Sequence, residues 1–220
     1  MIKTNRLYKN RLMIKNIVFD LGGVILTLDH EEAVRRFESL GLKDARQQLD
    51  PYTQGGIFGQ LEKGAIDAET FRQELSKQVG HDVTYAECRH AWLGYAKDVP
   101  QRNLSCLQQL RSQGYRVLLL SNTNPFMMSW AMSNGFDGKG HPLSHYMDAC
   151  YLSYEQKVMK PDPFFFSKML MQEQIMPEET LFVDDGPRNV AAASQMGIRT
   201  LCPENGTDWT AKLMELIKAN

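Results

Sequence analysis

The sequence has little with which to staple, anchor or strongly charge itself. Its four cysteines, Cys88, Cys106, Cys150 and Cys202, are scattered with no C-x-x-C pair. That spacing argues against a zinc site and a disulfide framework, and leaves reduced, mostly buried thiols as the expectation. No apolar run approaches the roughly 20 residues a bilayer-spanning helix needs, and the N-terminus has no apolar signal core. The expected location is therefore cytoplasmic, with no membrane partner. Charge of neither sign dominates: 25 Lys and Arg face 26 Asp and Glu, a formal net charge of -1. There is no basic surface for nucleic acid and no acidic tail, and nothing marks a dimer surface. The first twelve residues carry no strand or helix pattern, and Met13-Ile14-Lys15-Asn16 partly repeats Met1-Ile2-Lys3-Thr4-Asn5, which makes Met13 a candidate start.

What is present is an alternation. At 220 residues the chain can bury one sizeable core and still carry a small insertion. Short apolar runs recur at residues 14–19, 117–120, 149–152, 181–183 and 198–201. Each is preceded or followed by a helix-like segment, and strands alternating with helices predict a parallel α/β sheet. Pro100 and Gly114 bracket Leu104, Leu107 and Leu110 at helical spacing, and Pro187 and Gly197 bracket another helix. Apolar stripes run through residues 164–170 and through Trp209, Leu213, Leu216 and Ile217.

Residues 29–97 break the alternation, with helical periodicity and no strand-like run long enough to join the sheet. They predict a helical insertion between two core segments, 1–28 and 98–220. Its first helix is expected to open on a capping box, Asp29 with Glu32, and to close at Gly41. A later helix opens at Asp67, stapled by Ile66 and Phe71, and continues through Leu75 and Val79. Gly55, Gly56 and Gly59 predict a flexible stretch between helices.

Four polar elements stand at or just beyond the strand ends: Asp20, Ser121-Asn122-Thr123-Asn124, Lys160-Pro161 and Asp184-Asp185. In a parallel α/β sheet the loops at the C-terminal strand edge converge on one crevice, so the four can meet in space. They form a phosphoryl-transfer set. One carboxylate attacks, a hydroxyl and an amide hold oxygens, and a lysine neutralises charge. The two adjacent carboxylates would repel each other unless a cation or donors compensate, and a divalent metal is the better reading.

The order, identity and spacing of these motifs from Asp20 to Asn189 resemble the haloacid dehalogenase (HAD) superfamily of hydrolases. Phe-Asp-Leu-Gly-Gly-Val from Phe19, Leu-Ser-Asn-Thr-Asn from Leu120, Lys-Pro, and Asp-Asp with Asn189 are most similar to the helical-cap branch that contains α-glucose-1-phosphate phosphatase. The resemblance covers nearly the whole chain beyond Met13. It implies a Rossmann-like α/β core with a small helical cap at residues 29–97, and a magnesium-dependent phosphatase acting on a small phosphorylated metabolite, sugar phosphates among the candidates. Asp20 would be the nucleophile that forms an aspartyl-phosphate, and a magnesium ligand. The Gly22 carbonyl and Asp185 would be further ligands, with Asp184 beside them in the inner or outer coordination sphere. Ser121, Asn122, Gly22 and Lys160 would hold the phosphate. Glu62-Lys63-Gly64 resembles the substrate-facing turn of the cap, with Phe58, Gln60 and Glu62 as candidate contacts.

The departure from the family pattern is Gly22, where most family phosphatases carry the aspartate that protonates the leaving oxygen and then activates water. Loss of a general acid/base costs roughly 10²–10⁴ in rate, or about 3–5 kcal/mol of barrier. A slow or narrow phosphatase is the leading expectation, with good leaving groups such as anomeric hydroxyls suffering least. Two alternatives stay open. One is a non-catalytic or very slow protein that binds phosphorylated metabolites. The other is a metal-independent 2-haloacid dehalogenase, in which Asp20 attacks carbon; Asp184-Asp185 opposes it, because a haloacid carboxylate gains nothing from two nearby negative charges. Structural roles are the expectation for Asn189, as a brace for the helix at Pro187, and for Trp92, Tyr85 and Tyr95, as cap core. His141 and His145 have Pro142 between them and no third ligand, which argues against zinc.

Overall fold

A computed structural model describes residues 13–49 and 55–218; the expectation for residues 1–12 lies outside the described residues. β1 (Asn16–Phe19) is followed by β2 (Thr27–Leu28), the helices α1 (His30–Ser39), α2 (Ala45–Gln48), α3 (Gly56–Glu62), α4 (Ala68–Val79) and α5 (Tyr85–Trp92), and β3 (Ala96–Asp98). Then come α6 (Gln101–Ser112), β4 (Arg116–Ser121), α7 (Pro125–Ala131), β5 (Ala149–Leu152), α8 (Ser153–Gln156) and α9 (Pro163–Glu173). β6 (Thr180–Val183), α10 (Pro187–Gln195), β7 (Arg199–Leu201) and α11 (Thr210–Lys218) complete the order. No helix among the described residues is long and apolar enough to cross a membrane.

Successive strand side chains point to opposite faces, so each apolar run serves two cores. Ile17 and Phe19 of β1, Val117 and Leu119 of β4, and Leu181 and Val183 of β6 join one cluster with Leu107 of α6 and Leu213 of α11. Val18, Leu118, Leu120 and Phe182 join the other, against Phe165, Phe166 and Met169 of α9. The sheet order is β5-β4-β1-β6-β7 with every neighbouring pair parallel, the parallel α/β sheet expected from the alternation and the Rossmann-like core that the resemblance implied. β1 lies between β4 and β6, with Phe19 in register with Leu119 and Val183. Asp20, Ser121 and Asp184 are thereby brought to one edge of the sheet.

β2 and β3 form a separate antiparallel ribbon; strands of two and three residues have no periodicity to read. Between them α1–α5 bury a cluster of their own, in which Phe37, Phe58, Phe71 and Trp92 pack ring against ring. Phe126 and Met127 of α7 belong to this cluster, so the helix that follows the Ser121–Asn124 loop is the floor beneath the helical layer.

Local expectations are met unevenly. The glycine stretch is not a flexible link: Gly55 caps α3, and Gly59 is buried inside it. Burial of Ile57, Phe58 and Leu61 outweighs the poor helix propensity of glycine. Only half of the Asp29 box forms. Asp29 accepts from the Glu32 N–H, but Glu32 turns to Arg35 and Arg36. The reciprocal box is at Thr84 and Glu87. Pro100 is the N-cap of α6 rather than its first-turn residue. Cys88 and Cys106 are buried, while Cys150 is half-buried and Cys202 exposed; all four are free.

Candidate active site

Asp20 is the first residue past β1, and its N–H continues the ladder to the Val183 carbonyl at 2.9 Å. Its Oδ1 accepts from the Leu21 N–H at 2.7 Å and lies 3.0 Å from Lys160 Nζ. The same ammonium donates to Asp184 Oδ2 at 2.6 Å, both side chains being wholly buried. Asp184 also accepts from the Gly186 N–H at 2.8 Å and from Asn189 Nδ2 at 3.0 Å. Its oxygens are thus occupied in orienting the lysine. Asn189, expected to brace its helix, braces this carboxylate instead.

The electrostatics are unbalanced. Burial pushes the Asp20 carboxyl up to about 7, with Lys160 opposing and Asp184 and Asp185 adding to the rise. Burial and Asp184 push Asp185 up to about 6, against Lys160. Burial alone would lower the Lys160 ammonium, but Asp184 and Asp20 outweigh it and hold the group above its ordinary range. Oxygens of Asp20, Asp184 and Asp185 all lie within 4.8 Å of one another. Three carboxylates around one ammonium leave a deficit that a hard divalent cation with oxygen ligands would repair, so the donor set fits magnesium.

The approach of Asp185 requires the glycine loop. Gly23 has φ +72, and a Cβ there would lie 1.9 Å from Asp185 Oδ2, so only glycine admits this turn and this contact. The Gly22-Gly23 pair marks a tight turn in the sequence, but the close approach of Asp185 to Gly23 has no local signal. Asn122 ties two site loops together. Its amide donates to the Lys160 carbonyl at 2.9 Å and accepts from the Lys160 N–H at 2.8 Å. The side chain therefore positions the lysine segment, and Asn122 also lines the cleft described below.

Asp20, Gly22, Ser121 and Asp185 form the floor of a cleft of about 160 Å³, which Leu28, Glu62, Trp92 and Tyr95 close from the ribbon and helical side. Glu62 is buried and lines it. Phe58 does not: its ring lies among Phe37, Phe71 and Trp92, and burial in the helical core takes it from any ligand. Gln60, two residues from Glu62, faces away from it on the helix and is exposed. Trp92 and Tyr95 belong to the helical core as expected but also line the cleft, and Tyr85 is 44% exposed. A larger concavity of about 570 Å³ on the outer face of α4 has none of the site carboxylates, and its Arg72 and His81 are bonded to Glu69, Val83 and Leu40.

The helical layer is fastened to the sheet beside the cleft. Ser153 Oγ donates to the Glu62 carbonyl at 2.6 Å and accepts from the Thr123 N–H at 3.0 Å. Lys157 Nζ donates to the Gly64 carbonyl, and Gly64, at φ +68, lies so close that a Cβ would be 2.0 Å from the Tyr154 carbonyl oxygen. No sequence signal pointed to Ser153, because a lone serine after a strand carries none.

The profile of the haloacid dehalogenase-like hydrolases matches residues 14–197. The chain belongs to this family. A D-ribitol-5-phosphate phosphatase from Bacteroides thetaiotaomicron is 46% identical over 207 residues, which are 94% of this chain and 100% of that protein. A HAD-like family hydrolase from Porphyromonas gingivalis superposes with a TM-score of 0.90 at 41% identity, covering 94% of this chain and 98% of the other. A HAD family enzyme from Bacteroides thetaiotaomicron, solved with magnesium and inorganic phosphate, has a TM-score of 0.83 at 36% identity, covering 90% and 98%.

In this HAD-like hydrolase the space beside Gly22 is taken by Leu28. A Cβ at position 22 would meet Leu28 Cδ1 at 3.1 Å and Cδ2 at 3.2 Å, closer than the roughly 3.5–4.0 Å of good carbon contacts.

Proposed function

We propose that the chain is a magnesium-dependent phosphatase of small phosphorylated metabolites, sugar and polyol phosphates above all, with Asp20 as nucleophile. The observation that carries this reading is Asp20 at the floor of a cleft that Asp185 and Ser121 share, with the Lys160 ammonium 3.0 Å from its Oδ1. The relative that hydrolyses ribitol 5-phosphate supports the substrate class. A cleft of about 160 Å³ is below the roughly 300–1,000 Å³ that admits drug-sized ligands, which favours a small leaving group.

The Asp20 carboxylate attacks phosphorus, the P–O bond to the leaving group breaks, and an aspartyl-phosphate forms. Lys160 keeps Asp20 oriented and offsets charge on the transferring group, while Ser121 and the Gly22 loop hold its oxygens. Water then displaces phosphate from Asp20. Asp20, Asp185 and the Gly22 carbonyl would hold magnesium, with Asp184 outside them, and the ion would neutralise phosphoryl charge. Residues 29–97 form the cap, which closes over the leaving group and excludes water. The glycine at position 22 leaves the departing oxygen without the usual acid, so turnover is slow on poor leaving groups.

The test is phosphate release from a panel of sugar, polyol and anomeric phosphates, with magnesium or chelator, for the parent chain and Asp20→Asn. Release that needs magnesium and disappears in the variant supports the reading. Binding of magnesium and phosphate with no release from any compound would replace it with the binding protein that Gly22 favours. Loss of halide from 2-haloacids in chelator would replace it with a dehalogenase.

A further inference from the structure

Two buried donors in the cleft wall have no acceptor among the described residues, the indole Nε1 of Trp92 and the amide Nδ2 of Asn124. Both residues line the cleft, and both are almost wholly buried, at 2% and 1% exposure. Neither donor can turn to find a partner. Asn124 Oδ1 caps α7, accepting from the N–H groups of Phe126 and Met127 at 3.1 Å each; flipping the amide would point its NH₂ at those two donors. The Trp92 ring is fixed edge-on against Phe37 at 5.6 Å and stacked on Tyr95 at 5.9 Å. Buried donors are almost always satisfied, by protein, water or ligand.

Resting on the phosphatase reading, we infer that Trp92 and Asn124 are specificity residues whose N–H groups donate to hydroxyl oxygens of the leaving group, so that the substrate is the phosphate monoester of a small polyol or sugar. The chemistry of the wall selects hydroxyls. Acceptors must face the two donors, yet the Glu62 carboxylate lines the same cleft, so a ligand group that both accepts and donates suits all three. A carboxylated leaving group would accept from the donors but meet the acidic side chains of Glu62 and Asp185. An alkyl leaving group would leave both donors buried and unbonded.

The test is calorimetric binding of D-ribitol 5-phosphate and of pentyl phosphate, its hydroxyl-free counterpart, to the full chain with magnesium, with Asp20→Asn present throughout to prevent turnover. Trp92→Phe keeps the ring and removes the N–H; Asn124→Ser keeps a good N-cap and removes the amide. The parent should bind ribitol phosphate at least about tenfold tighter than pentyl phosphate. Each variant should lose roughly three- to tenfold on ribitol phosphate and nothing on pentyl phosphate, the effect of one uncharged hydrogen bond. Equal binding of the two compounds by the parent overturns the inference, and so does equal weakening of both by the variants. A parent that shows this preference in binding but whose Asp20 form releases no phosphate sinks the phosphatase reading alone.

Discussion

Replacing Gly22 by aspartate should return a general acid to this site only when Leu28 is trimmed with it. The backbone is no obstacle, since among the glycines with left-handed φ values Gly22 does not figure. The obstacle is the Leu28 side chain, 3.1–3.4 Å from the position of a new Cβ. Leu28 cannot yield through its backbone. Its N–H donates to Asn205 Oδ1 at 2.9 Å, and its carbonyl accepts from Asn205 Nδ2 at 3.0 Å. Relief must come from the side chain, and an overpacked site of this kind costs about 1–3 kcal/mol. Gly22→Asp alone should therefore fold less stably and gain little. Gly22→Asp with Leu28→Ala removes the crowding and should raise kcat on an alkyl phosphate by roughly 10²–10⁴, the worth of a general acid/base. Acetyl phosphate, whose leaving group needs no proton, should gain far less. Steady-state kcat on the two substrates, with thermal midpoints to check folding, reads the outcome. Equal gains on both, or no gain in a double variant that folds like the parent, would refute the reasoning.

Three further outcomes follow from the same geometry. In the metal-free protein Asp20 and Asp185 hold protons up to about pH 7 and about pH 6, against an ordinary carboxylate near 3.8, so they take up protons on folding. The metal-free fold accordingly loses stability as pH rises through that window, and magnesium, which needs both groups ionised, should raise the thermal midpoint much more at pH 8 than at pH 5.5; equal shifts would contradict this. Lys160→Met leaves Asp184 and Asp20 buried without their ammonium, and should cost about 3–5 kcal/mol in urea denaturation without metal and roughly 10²–10³ in kcat. Gly64→Ala puts a side chain at φ +68 against the Tyr154 carbonyl, a strain of about 1–3 kcal/mol before the clash; lifting the turn at Glu62 should raise KM more than it lowers kcat, and an unchanged KM would count against the cleft wall described here.

The sheet and the meeting of Asp20, Ser121, Lys160 and Asp185 are legible in the sequence because parallel strands buried on both faces are short and uniformly apolar, and because polar residues at their ends have one crevice to enter. What the sequence hid is tertiary. The helix at Gly56–Glu62 contradicts its glycines, since burial of Phe58 and Leu61 outweighs propensity, and the same burial removes Phe58 from the cleft. The tie between the Asn122 amide and the Lys160 backbone has no local signal, since the two lie 38 residues apart. Ser153 carries no local signal, because the groups it ties together lie 30 and 91 residues away. Asn124 and Trp92 read as a loop amide and a core ring, and only a donor without an acceptor distinguishes them.

The central claim is that Asp20 takes the phosphoryl group. Acid quenching during turnover of acetyl phosphate with magnesium, followed by peptide mass spectrometry, tests it most directly. A phosphorylated peptide containing Asp20, absent with chelator and absent in Asp20→Asn, is the predicted result. Steady phosphate release with no modified peptide, undiminished in Asp20→Asn, would contradict it.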